Sequence, residues 1–215
     1  MKGGQIMDAV VVDVEIQRTV EELPKKWDSS ELMGVGVAVV YEYQTDRFRI
    51  FGPQDVEALR VRLLKADRIS GFNIARFDFP VIWACKNRTL TPDLAQILEP
   101  KTDDLLLRIY SAMGLSLTNF TSAHKGWKAD TVARGTLGGV GKIADGAQAP
   151  IWFQQGEFGK LYSYCLDDVS LERDLTTFVD KYGYVVNGDT GRCVKIPRWE
   201  PAPPPPVKAA AEFDL

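Results

Sequence analysis

Residues 9–17 read AVVVDVEIQ. Three consecutive valines put apolar side chains on both faces of an extended chain, so the stretch from Ala9 to Ile16 reads as a strand buried on both sides. Its end is unusual. Side chains alternate along a strand, so Asp13 and Glu15 point to one side, roughly 6–7 Å apart. At the end of a central strand two such carboxylates repel each other unless a cation lies between them. The plainer alternative is a strand that has simply surfaced into solvent.

Working outward, residues 35–43 (VGVAVVYEY) and 46–51 (DRFRIF) read as two more strands, joined through Gln44-Thr45 as a hairpin. Pro53 opens an amphipathic helix with Val56, Leu59, Leu63 and Leu64 on one side. Arg68–Gly71 reads as a short strand, and helices are expected over 79–87, 104–113, 127–136 and 156–181. Residues 184–196 (YVVNGDTGRCVKI) read as a late hairpin with Asn187-Gly188 and Gly191 at its turn. Strand, hairpin, helix, strand and then helices make an α/β domain. Its early strands are antiparallel, and its later ones are parallel and covered by helices.

The bulk numbers set the frame. With 215 residues, 45% hydrophobic and 26% charged, the chain suits one soluble domain, expected over 1–198, and a tail over 199–215. No run is long enough to span a bilayer and no signal-peptide pattern opens the chain, so a cytoplasmic location and no membrane partner are expected. Cys85, Cys165 and Cys193 are far apart and lack metal-site spacing, so they are expected to be buried free thiols. The net charge of −3 and pI near 5.3 argue against a broad basic nucleic-acid surface. They leave room for phosphates met through metal ions on carboxylates. In the tail, Pro201 and Pro203–Pro206 make a stiff spacer before Phe213 and Leu215. That segment is either a disordered tail or a peptide for a protein partner.

Two more acids sit beside apolar sequence. In SGFNIARFDFPVI (70–82), Asp78 precedes Pro80 and an apolar helix. It is either a helix cap or a site residue. In YSYCLDDVSLERDL (162–175), Tyr164, Asp168, Leu171, Leu175 and Phe178 share one helix face, which the apolar members make the buried one. Asp168 therefore needs a counter-charge, from a basic side chain or from a metal. Tyr164, one turn earlier, is either a core residue or a hydroxyl beside the same site. Four acids without His or Cys suit Mg²⁺ or Mn²⁺ rather than zinc. Two such ions roughly 3.5–4 Å apart are the usual apparatus for attack at a phosphodiester.

These three strings resemble, in order and spacing, the three motifs of the DEDD 3′–5′ exonucleases of ribonuclease-H-like fold. VVDVEI (11–16) resembles the first, FNIARFDFP (72–80) the second, and YCLDD (164–168) the third in its Tyr-x-x-x-Asp form. The nearest flavour is the exonuclease domain of family-B DNA polymerases. ADTVARGTLGGVGK (129–142) also resembles the helix and glycine loop between the second and third motifs. The likeness covers about residues 8–182, and the His subclass does not fit because residue 163 is Ser. It implies a mixed five-stranded ribonuclease-H-like sheet and two Mg²⁺ or Mn²⁺ ions. Asp13 would bridge the ions, Glu15 and Asp168 would complete one shell, and Asp78 would serve the other ion. Tyr164 would orient the attacking water, while Asn73 and Phe77 border the pocket for the last nucleotides. Lys142 is a candidate for the substrate backbone, as is Lys128, against solvated lysines. LGGVGK (137–142) is no phosphate loop, since Gly is absent at 136 and Ile follows Lys142. The implied substrate is a single-stranded or 3′-ended nucleic acid. DNA is favoured; RNA, or an adaptor that has lost turnover, are the alternatives.

Overall fold

The computed structural model describes residues 7–139 and 146–201. The main strands are β1 (Ala9–Ile16), β2 (Val35–Glu42), β3 (Arg47–Phe51), β4 (Arg68–Gly71) and β5 (Thr102–Asp104), in the order β3-β2-β1-β4-β5. β1 pairs antiparallel with β2 and β2 with β3, while β1–β4 and β4–β5 are parallel. This is the mixed α/β sheet expected. The helices are α1 (Ser30–Met33), α2 (Val56–Lys65), α3 (Asp78–Ile82), α4 (Pro92–Leu98), α5 (Leu105–Ala112), α6 (Ala129–Thr136), α7 (Ala149–Gln154) and α8 (Phe158–Tyr182).

β1 is central, and its alternation sorts two cores. Val10, Val12, Val14 and Ile16 pack with Leu59 and Leu63 of α2 and Phe79 of α3. On the other face, Val11 packs with Leu161, Cys165 and Val169 of α8. Each buried valine contributes roughly 2 kcal/mol. Leu64, expected on the apolar side of α2, instead stays 38% exposed.

A third core joins α5, α6, the second half of α8 and a late hairpin of β6 (Tyr184–Val186) with β7 (Cys193–Lys195). The hairpin docks backbone to backbone on α6. The Gly188 N–H donates to Thr131 O at 2.9 Å, and a Cβ on Gly188 would lie 2.8 Å from that same oxygen. A Cβ on Gly135 would run into the carbonyl oxygen of Val186. The Gly135→Ala substitution should therefore cost about 2 kcal/mol by prising the hairpin from α6. Urea unfolding followed by tryptophan fluorescence measures it; an unchanged midpoint would show that the backbones have room to part.

β4 stops early, and this makes the crevice. Its partners on β1 are only Ala9, Val10 and Val11. At Gly71 a Cβ would lie 2.8 Å from Val12 O, so glycine permits the close approach there. The chain then turns away at Asn73, whose φ of 69° is left-handed. The second half of β1 is left without a strand neighbour on that side.

Three further expectations need correction. The helix expected over 79–87 ends at Ile82, because Ala84, Asn87 and Arg88 take φ values of 50°, 53° and 56°. Ser30 of α1 fixes that turn, donating through Oγ to Cys85 O at 2.6 Å and accepting from Arg88 N at 3.1 Å. The helix expected from Asp104 begins one residue later, after β5, and Asp104 caps it. Cys85 and Cys165 are buried, but Cys193 is exposed, since only Val194 of β7 turns inward.

Candidate metal centre

Asp13 and Glu15 lie on the β1 face that meets α8, opposite Val39 and Val37 of β2. A bulge follows at Glu15/Ile16, where a Cβ on Gly36 would crowd Glu15 O at 3.1 Å. Bulges re-aim strand ends beside sites of this kind. From α8, Asp168 reaches the same point. One carboxylate oxygen each from Asp13, Glu15 and Asp168 lie within 4.8 Å of one another. Glu15 is 8% exposed and Asp168 2%.

Asp78 enters from the edge that β4 has vacated. The Val14 N–H donates to Asp78 Oδ1 at 3.0 Å, so the carboxylate takes a backbone donor that a longer β4 would have paired. Asp78 is the first residue of α3 rather than its cap. Burial, and then the charge of Asp13, hold its carboxyl well above the usual carboxylate range. Burial and the charges of Asp13, Glu15 and Asp168 likewise push up the Cys165 thiol. That thiol lies 3.6 Å from Asp13 Oδ2.

Asp13, Glu15, Asp78 and Tyr164 line a cleft of about 740 Å³. Asn73, Phe77 and Lys128 line it too, so the expected substrate-side residues face the same space. Lys142 lies outside the described residues, as do the tail positions Phe213 and Leu215. Tyr164 is buried and meets the Trp152 ring edge-on at 5.7 Å.

The loop carrying Asn73 is fixed from beneath. Asp104 accepts N–H bonds from Asn73 (2.9 Å), Ala75 (3.1 Å), Leu106 (3.0 Å) and Leu107 (3.2 Å). Burial pushes its carboxyl up to about 6 against the pull of those donors.

Sequence reasoning missed Trp27 and Glu172, which both line the cleft. Trp27 stands edge-on to Phe77 at 6.0 Å. Its position in a polar loop carries no periodic signal. Glu172 is 3% exposed, and its signal was present: it lies four residues after Asp168, on the same helix face.

The donor set consists of hard oxygens gathered in a partly buried acidic cluster. Such a set fits a divalent ion of the Mg²⁺ or Mn²⁺ kind and would neutralise carboxylates that otherwise repel.

No protein-family model matches this chain, and no curated protein matches it in sequence. Among solved structures it is similar to the family B DNA polymerase from the hyperthermophilic archaeon Pyrobaculum calidifontis. The TM-score is 0.55 and the identity 15%, over 81% of this chain and 25% of that one. At that identity the likeness is one of fold, and this chain spans about a quarter of the polymerase's length.

Proposed function

We propose that this chain is a metal-dependent 3′–5′ exonuclease of the DEDD type, Tyr subclass. It would remove nucleoside 5′-monophosphates from 3′ ends, with DNA as the favoured substrate. The observation that carries the reading is the convergence of Asp13, Glu15 and Asp168 within 4.8 Å at the end of the central strand. Asp78 sits on the open edge beside them. The fold it shares with a DNA polymerase favours DNA.

In this reading Asp13, Glu15 and Asp168 would hold one ion, and Asp78 beside them would serve a second. Bound ions would supply Lewis-acid polarisation of the phosphodiester and a lowered pKa of water near neutral pH. Tyr164 would orient the attacking water by hydrogen bonding rather than acting as its base. Phe77 and Trp27 offer aromatic faces to the last bases. Asn73, held by Asp104, borders the terminal nucleotide.

The test is a 5′-labelled oligonucleotide, as single-stranded DNA, duplex DNA or RNA, with Mg²⁺, Mn²⁺ or EDTA. The expected result is a ladder shortening from the 3′ end of DNA, absent in EDTA. No ladder on any of the three substrates would overturn the reading.

Metal should also stabilise the fold, with a particular pH dependence. The Asp78 carboxyl is raised relative to the unfolded chain. Its protonated form therefore contributes stability at low pH, which is lost as the pH rises through the raised value. A divalent ion replaces the proton in offsetting the buried charge. Saturating Mn²⁺, at about a hundred times its Kd, should raise the melting temperature by about 5–10 °C near pH 8. Near pH 5, where protons compete, the gain should be clearly smaller. Differential scanning fluorimetry in both buffers reads this out, and equal shifts would argue against carboxylate ligands.

A further inference from the structure

Outside the acidic cluster, an arginine pair stands next to Phe77 of the cleft wall without itself lining the cleft, and Arg88 faces a neighbouring pocket shared with Asp104 and Arg108. Arg76 immediately precedes Phe77, and its guanidinium lies 3.8 Å from the centroid of the Phe120 ring. Arg88 folds back to the same place. Its Nε–H donates to Arg76 O at 2.7 Å. Both arginines are half-buried. Among the described residues neither forms an ion pair, whereas Arg62, Arg68, Arg108 and Arg134 all do. Burial and the neighbouring Arg76 charge both lower the pKa of Arg88, and Asp28 is the acid that opposes them.

The chain carries 29 acidic and 26 Lys or Arg residues, so acids were available to pair these two. Neighbouring guanidiniums that form no ion pair repel each other until an anion lies between them. The Arg76 guanidinium stacks on Phe120 by cation–π attraction, and a guanidinium presents a planar N–H fork that suits a bidentate acceptor. Two aromatic rings nearby are open to solvent, Trp27 at 51% and Phe120 at 40% exposure. Guanidinium forks interleaved with exposed aromatic rings suit a single strand of nucleic acid, whose phosphates take the charge and whose bases stack.

We propose that Arg76 and Arg88 grip a backbone phosphate of the substrate strand where it leaves the cleft over Phe77 and Trp27. The proposal rests on the reading of the cleft as a site for a 3′ end. It assigns strand affinity to two arginines in an otherwise acidic protein.

The test measures binding without turnover. Fluorescence anisotropy follows a 5′-labelled oligothymidylate of about 12 nucleotides in Ca²⁺ buffer over a range of salt. Arg76→Gln should weaken binding about tenfold. Each lost phosphate contact should flatten the slope of log K against log salt by about 0.7. Arg76→Lys should restore the salt slope but not the full affinity, because it keeps the charge and loses the fork. If Arg76→Gln melts early, Arg76→Lys and Phe120→Ala, which releases the fork, carry the test, and both should bind more weakly than wild type. Wild-type affinity and salt slope in the Arg76→Gln/Arg88→Gln double variant would overturn the proposal. The two readings fail separately. Weakened binding in the variants without any ladder from the wild type would sink the exonuclease and keep the phosphate grip. A ladder with undiminished binding in the double variant would do the reverse.

Discussion

Asp13→Asn should abolish the proposed 3′ ladder and at the same time make the metal-free protein more stable. Both effects come from one charge. Asp13 stands where the carboxylates of Glu15 and Asp168 converge, and its charge raises the pKa of both Asp78 and Cys165. Toward Asp78 its charge is repulsive, so replacing it with an isosteric amide should raise metal-free stability by about 1 kcal/mol, or about 2–4 °C in melting temperature. In the presence of metal it is the proposed bridging ligand. Its loss should lower the rate at least about a thousandfold. The opposite signs separate a site residue from a structural one, which would lose stability and activity together. Melting curves in EDTA, set beside single-turnover ladders in Mn²⁺, measure both. Activity within tenfold of wild type would remove Asp13 from the centre.

Arg68→Met should cost the fold about 3 kcal/mol or more, lowering the melting temperature by about 6–12 °C. Arg68 opens β4 and is 6% exposed. Its Nε–H donates to Asp103 Oδ2 at 2.9 Å, and its Nη1 to Asp180 of α8 at 2.6 Å. Arg108 donates to the other oxygen of Asp103 at 2.6 Å and to Pro197 O at 2.7 Å. The Arg68 guanidinium also lies 5.0 Å from the Trp199 ring, and Trp199 Nε1–H donates to Thr102 O at 3.0 Å. One side chain thus ties two strands, the end of α8 and the residues after the hairpin. Its removal leaves the 2%-exposed Asp103 with half its neutralising charge, and the cost of a buried charge stripped of its partner sets the magnitude. Because the network is buried, added salt should change the result little. Urea unfolding of wild type and variant gives the difference; a loss under about 1 kcal/mol would place the network among weak surface pairs.

The fold was readable wherever apolar residues carried the pattern. β1 and β2 follow valine-rich runs, β3 alternates arginine with apolar residues, and the long helix α8 follows a 3.6-residue period. β5 did not show itself, because Thr102-Asp103-Asp104 has no apolar residue. Its burial depends on Arg68 and Arg108 for Asp103 and on main-chain donors for Asp104. The length of α3 was misjudged because residues 84–88 look compatible with a helix. A hydroxyl from Ser30, more than fifty positions away in sequence, fixes the turn instead.

At the site, the same-face spacing of Asp13 and Glu15 and the buried face of α8 anticipated which acids would meet. The early end of β4, which opens the edge where Asp78 takes the Val14 N–H, could not be read from a four-residue strand. Trp27 and the Arg76–Arg88 pair were hidden for the same reason. Loops that carry no period bring them together in space.

The central claim is that Asp13, Glu15, Asp168 and Asp78 hold divalent metal at the end of β1. Crystals of the wild-type protein grown with Mn²⁺ and measured for anomalous scattering test it most directly. An anomalous peak is expected between the carboxylates of Asp13, Glu15 and Asp168, and a second between Asp13 and Asp78 when a 3′-ended oligonucleotide is bound. A map with no peak at these acids under saturating Mn²⁺ would contradict it.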